Sequence, residues 1–212
     1  MPSCRIQFIL PIVQKRIASC LSLATDADTL FQQRQGGRYR PIGHNQKLII
    51  AELAFLHVFL AWEDFLEQSF VRYMCGAVTA SGYAPRRYVA PPTLSHAHEM
   101  VALPGRRYAD WTDIEDVIAL ARLYFADGEP YEPALRPLLA DFKHMSIIRN
   151  GIAHRSEHSK KKLQDVTRGL IGYVPPALTP GILLRTTVPT ESRTFGEKYC
   201  SVVLIAAQRI IR

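Results

Sequence analysis

Cysteine is scarce in this chain and what there is stands apart: Cys4, Cys20, Cys75 and Cys200 form no CxxC pair and have no histidine at ligand spacing. That argues against a zinc knuckle or a disulfide framework and points to a reduced, cytoplasmic setting. Long apolar runs are missing as well. In "CRIQFILPIVQKR" the apolar stretch runs only from Ile6 to Val13, broken by Gln7 and Pro11, with no small-residue cleavage site close behind. Nothing approaches the roughly 20 apolar residues of a spanning helix, so no membrane association is expected. Strand periodicity is also lacking, and only "GILLRTTVP" reads as a short extended piece. Acid is outnumbered, 19 Asp plus Glu against 26 Lys plus Arg, for a net charge of +7. Such a balance favours nucleic acid or other anionic partners without naming one.

What is present is helical. At 212 residues, 48% hydrophobic and 21% charged, the chain reads as one globular domain over residues 1–212. The expected class is all-α, a bundle of about five to six helices. From Asn45 to Cys75 there is no Pro or Gly, and Leu53, Leu56, Phe59, Leu60, Leu66, Phe70 and Tyr73 recur at three- and four-residue steps. An earlier helix is expected over Gln7 to Gln33, closed by "GGRYRPIG". "DWTDIEDVIALARLYFAD" supplies another behind a Thr112 or Asp113 cap. "YEPALRPLLADFKHMSIIRNGIAHRS" is a further helix, in which Pro137 marks a kink or the true first turn. "SKKKLQDVTRGLIGYV" and "SRTFGEKYCSVVLIAAQRII" complete the bundle, leaving two long loops at 81–107 and 175–191.

One stretch carries chemistry. In "IIRNGIAHRSEHSKKK", Asn150 and His154 stand i and i+4 on one helical face, with Arg149 about 100° to the side. Histidine exchanges protons near neutrality, arginine forks onto phosphoryl oxygens as charge builds, and asparagine orients either neighbour. Those types suit metal-free phosphodiester cleavage. The spacing alone is weak: Arg38 and His44 fit the same loose pattern inside a turn-rich loop. The ordinary alternative is an Arg and a His at the polar edge of a core helix.

Context adds weight. "IIRNGIAH" at the end of an apolar helix resembles the R-x(4-6)-H signature of the HEPN superfamily, with Asn150 as the polar residue that commonly follows the arginine. The likeness extends to "LAFLHVFLAWEDFLEQSF" before the motif, to "RRYADW" and "FADGEPYEPAL" between, and to "TPGILL" and a closing amphipathic helix after it, spanning most of 45–212. The resemblance implies a helical bundle and a metal-independent endoribonuclease of the toxin or anti-phage defence kind, with Arg149 and His154 catalytic and Asn150 supporting. It further implies a homodimer whose two motifs face each other, an RNA substrate, no cofactor, and an antitoxin or defence protein as a further partner. The competing reading is a non-catalytic helical module that binds RNA, nucleotide or protein.

Other residues are weighed beside this trio. Glu63 falls on the apolar stripe, where a carboxylate calls for a partner, either Arg149 or another basic residue. Arg155, His158, Lys160, Lys161 and Lys162 form a basic run that either is a solvated face or guides RNA. Arg-Arg-Tyr occurs twice, at Arg86, Arg87 and Tyr88 and at Arg106, Arg107 and Tyr108; it either binds phosphates and bases or anchors a loop through ion pairs and buried rings. Glu67 is expected solvated or salt-bridged, and His96, His98 and Glu99 lack an evident fourth ligand, so no metal is assigned.

Overall fold

The computed structural model describes residues 6–33, 37, 39–102, 110–154 and 156–212. Helix dominates them. The chain runs α1 (Ile9–Asp26), a short antiparallel pair β1 (Phe31–Gln33) and β2 (Tyr39–Pro41), then α2 (His44–Met74), α3 (Leu94–Val101) and α4 (Ile114–Tyr124). It continues through α5 (Tyr131–Leu135), α6 (Leu139–Ala153), α7 (Glu157–Ile171), α8 (Pro180–Arg185) and α9 (Phe195–Ile211). None of the described helices is long and apolar enough to cross a membrane.

The long helix forms where the sequence has neither breaker nor sustained charge. Its buried stripe includes Val58, Trp62, Phe65, Leu66, Phe70 and Tyr73. Asp113 caps α4, its side chain accepting from the Glu115 amide at 2.8 Å. Pro137 lies in a 3-10 turn, Arg136–Leu138, that leads into α6, so it opens that helix without kinking it.

Two expected boundaries move. The first helix ends at Asp26, not Gln33: a local side-chain bond from Thr29 closes its last turn, and the following residues are taken up by partners remote in the chain. The Thr29 hydroxyl donates to the Asp26 carbonyl at 2.9 Å, and the Asp28 carboxylate is held by Lys47 and Arg185. The expected extended piece in "GILLRTTVP" begins instead as α8, capped by Thr179, whose hydroxyl accepts from the Ile182 amide at 3.2 Å. Only Thr187, past its end, makes a bridge, with Thr194. The expected loop at 81–107 contains α3, and residues 103–107 of it lie outside the described residues.

The contacts of the chain gather into two compact units. The first comprises residues 1–14, 61–143 and 202–212. Its core is aromatic: Phe70 has Tyr131, Phe125 and Trp111 at ring-centroid distances of 5.0, 5.1 and 5.4 Å, and Trp62 stacks with Phe142 at 4.9 Å. The buried hydroxyls there are satisfied, Tyr131 with Ser69 at 2.9 Å and Tyr73 donating to the Ile210 carbonyl at 2.7 Å.

The second unit comprises residues 15–60 and 144–201. Phe55 is central, 6.4 Å from Phe59 and 6.2 Å from Tyr199. This unit carries the end of α6, and with it the Arg149 to His154 stretch.

Candidate functional site

The apolar run of α6 buries Met145 and Ile148, which turns Arg149 to the margin and Asn150 to solvent. Arg149 is half-buried; Asn150 and His154 are exposed. The helical ladder persists to the end of the motif, since the His154 amide donates to the Asn150 carbonyl at 2.8 Å. Asn150 and His154 therefore lie one turn apart on one face. The Arg149 guanidinium donates from Nη1 to Asn150 Oδ1 at 3.1 Å, so the asparagine steers the arginine directly.

The last turn of α6 is fixed from below. Gly151 leaves a space in which a Cβ would stand 3.4 Å from Pro180 Cγ and 3.8 Å from Leu163 Cδ2. The absent side chain thus admits α8 and α7 of the same chain against α6. In turn α8 is seated on α2. The Gly181 amide donates to Glu52 Oε1 at 2.8 Å, and a Cβ on Gly181 would come within 2.7 Å of the Leu48 carbonyl oxygen.

Glu52, Thr179, Pro180 and Gly181 are supports that the sequence reading passed over. The Thr-Pro-Gly triplet was the available signal, a cap followed by Pro at the first helical position. Glu52 carried none, because its partner is distant in sequence.

Beyond His154 the chain re-enters helix at α7, where the Ser156 hydroxyl accepts from the Ser159 amide at 3.2 Å. Leu163 and Thr167 are buried, while His158, Lys160, Lys161 and Lys162 are exposed. Lys160 is drawn to Glu157, Nζ to Oε1 at 2.6 Å. Arg155 lies outside the described residues. The described part of the basic run is thus an exposed face of α7, open to solvent or to an anionic partner.

The remaining candidates belong to the first unit. Glu63 is half-buried on α2. The first Arg-Arg-Tyr is anchored by its backbone: the Tyr88 amide donates to the Tyr124 carbonyl at 2.9 Å, and the Arg86 carbonyl accepts from Ala126 at 2.8 Å. The Arg87 guanidinium lies over Gly76, where a Cβ would collide with Nη1, while Arg86 and Tyr88 are exposed. Tyr88 is thus an exposed ring and not a buried anchor, beside the exposed Arg86. Arg106, Arg107 and Tyr108 lie outside the described residues. His98 Nδ1 stands 3.2 Å from Glu67 Oε1, and His96 stands 3.9 Å from Glu99. Glu67 thus takes the salt-bridged alternative when His98 is protonated. Among the described residues, no group of three or more His, Cys, Asp or Glu side chains is gathered to hold a metal ion.

Comparison of the chain with models of protein families, with curated proteins and with solved structures returns no match.

Proposed function

We propose that the chain is a HEPN-type endoribonuclease that cleaves RNA without metal, acting as a toxin or anti-phage defence effector in the cytoplasm. The observation that carries this reading is the helix-end cluster in which Asn150 steers Arg149 at 3.1 Å while Asn150 and His154 face solvent one turn apart. The resemblance of "IIRNGIAH" to the family signature supplies the reaction.

In this mechanism His154 takes the proton of a ribose 2′-hydroxyl or returns one to the leaving oxygen. The 2′-oxygen attacks the adjacent phosphorus and the bond to the 5′-oxygen breaks, leaving a 2′,3′-cyclic phosphate and a 5′-hydroxyl. Arg149 stays charged throughout and binds the non-bridging oxygens as negative charge develops. A homodimer juxtaposing two such helix ends would supply a second copy of every group, as two-fold symmetry requires. An antitoxin or defence protein would be its further partner.

The test is cleavage of mixed cellular RNA in the presence of chelator, with product ends mapped. Wild type should cut and leave cyclic phosphates. Arg149→Ala and His154→Ala, shown by circular dichroism to be folded, should each lose at least about 100-fold in rate, the size of one general acid-base or electrostatic contribution. Equal cleavage by all three proteins would place the activity elsewhere. Retained RNA binding with no cleavage by wild type would favour the binding-module reading.

A further inference from the structure

Spacing in the sequence separates Cys20 from Cys200 by most of the chain, yet the second unit sets both on the wall of one cavity of about 180 Å³. Cys20 comes from α1 and Cys200 from α9. Ala24, Ala51, Ala54 and Gly196 contribute to the same wall together with larger side chains such as Phe55 and Leu184.

The two thiols differ in access. Cys200 is 5% exposed, whereas Cys20 is half-buried and faces both cavity and solvent. Burial, the neighbouring Cys20 and the Glu197 carboxylate push the Cys200 thiol up to about 12, and burial raises Cys20 as well. Both therefore rest as protonated, weakly nucleophilic thiols at neutral pH. One accessible thiol backed by one buried thiol is the arrangement of an attacking and a resolving cysteine.

We propose that Cys20 and Cys200 form a redox modification site, an intramolecular disulfide that closes the cavity and pins α1 to α9 under oxidation by a low-molecular-weight disulfide. Cys20 loses its proton and attacks a sulfur of glutathione disulfide, which breaks the glutathione S–S bond and releases one reduced glutathione. Cys200 then loses its proton and attacks the Cys20 sulfur, expelling the second glutathione. Two electrons pass from the protein thiols to the oxidant, and the two protons end on the two glutathiones. A cross-link between residues so far apart in the chain restricts the unfolded state strongly and should raise thermal stability.

The site is tested by equilibrating the full chain with glutathione buffers from strongly reducing to strongly oxidising, then alkylating and digesting without reduction. Mass spectrometry should find a Cys20–Cys200 linked peptide pair, with both free thiols disappearing together while Cys75 remains alkylated. The oxidised protein should melt several degrees higher than the reduced one, and Cys20→Ser should abolish both the link and the rise. Cys200→Ser should instead trap glutathione on Cys20. Mixed glutathione disulfide on Cys20 in the wild type, a link through Cys4 or Cys75, or two thiols that stay free in the buffers that oxidise the denatured chain would each overturn the proposal.

Discussion

Two glycines in the second unit look alike in sequence and have opposite meanings. Gly181 sits where a Cβ would lie 2.7 Å from the Leu48 carbonyl oxygen and 3.0 Å from its carbonyl carbon, backbone that cannot swing away. Gly151 would present its Cβ at ordinary contact distances, 3.4 and 3.8 Å, to side-chain carbons. Gly181→Ala should therefore destabilise by about 2–3 kcal/mol, an overpacking cost, and loosen the seat on which α8 supports the end of α6. Gly151→Ala should be neutral or stabilising by up to about 1 kcal/mol, since alanine is the better helix former. Urea unfolding midpoints of the two variants check both signs. A tolerated Gly181→Ala would mean that α8 does not approach α2 as closely as the hydrogen bond from the Gly181 amide to Glu52 indicates.

At the scale of elements, α4 and α5 in the first unit are tied by one carboxylate. Arg122 donates to Glu132 from Nε at 2.5 Å and Nη2 at 2.6 Å, and Arg136 adds Nε at 2.9 Å. Those guanidiniums, Arg122 foremost, hold the Glu132 carboxyl down at about 2, against an ordinary 4.5. A depressed carboxyl contributes stability that is complete above 4.5 and is lost as pH falls toward 2. Melting temperature should accordingly drop through that window in the wild type and less steeply in Glu132→Gln; parallel acid limbs for the two proteins would sink the assignment. The fork was not visible in the sequence, because the Arg122 to Glu132 spacing belongs to no single helix. Elements with their own local signals were legible: α2 from its unbroken apolar stripe, α4 from its Asp113 cap, and α6 from Pro137. Where the decisive partner was remote, reading failed. The first helix ran seven residues too far in expectation because the pairing of 31–33 with 39–41 is a contact outside any helical period. Likewise α8 read as extended because its β-branched tail obscured the Thr179 cap. Of the candidate site, the trio was legible as a spacing on a helix, while the supports under it, Glu52 and Gly181, were not.

For the whole molecule, the excess of seven positive charges is a field, and under the proposed ribonuclease reading its local concentration after the trio would govern how RNA is held. Along α7, Lys161 and Lys162 are exposed, whereas Lys160 is engaged by Glu157 at 2.6 Å. Exposed lysines that meet phosphates release counterions, so affinity for single-stranded RNA should fall linearly with salt on logarithmic axes, by about 0.7 per phosphate neutralised. Replacing Lys161 and Lys162 together by alanine should then lower the slope by about 1.4, with little change in sequence preference. Adding Lys160→Ala should lower it by less than a third lysine otherwise would, because forming a phosphate contact there first requires breaking the pair with Glu157. Binding titrations of a non-cleavable RNA at several salt concentrations measure these slopes directly. An unchanged slope in the double variant would mean that α7 faces away from bound RNA, and that the basic run after His154 is only the solvated face its exposure already describes.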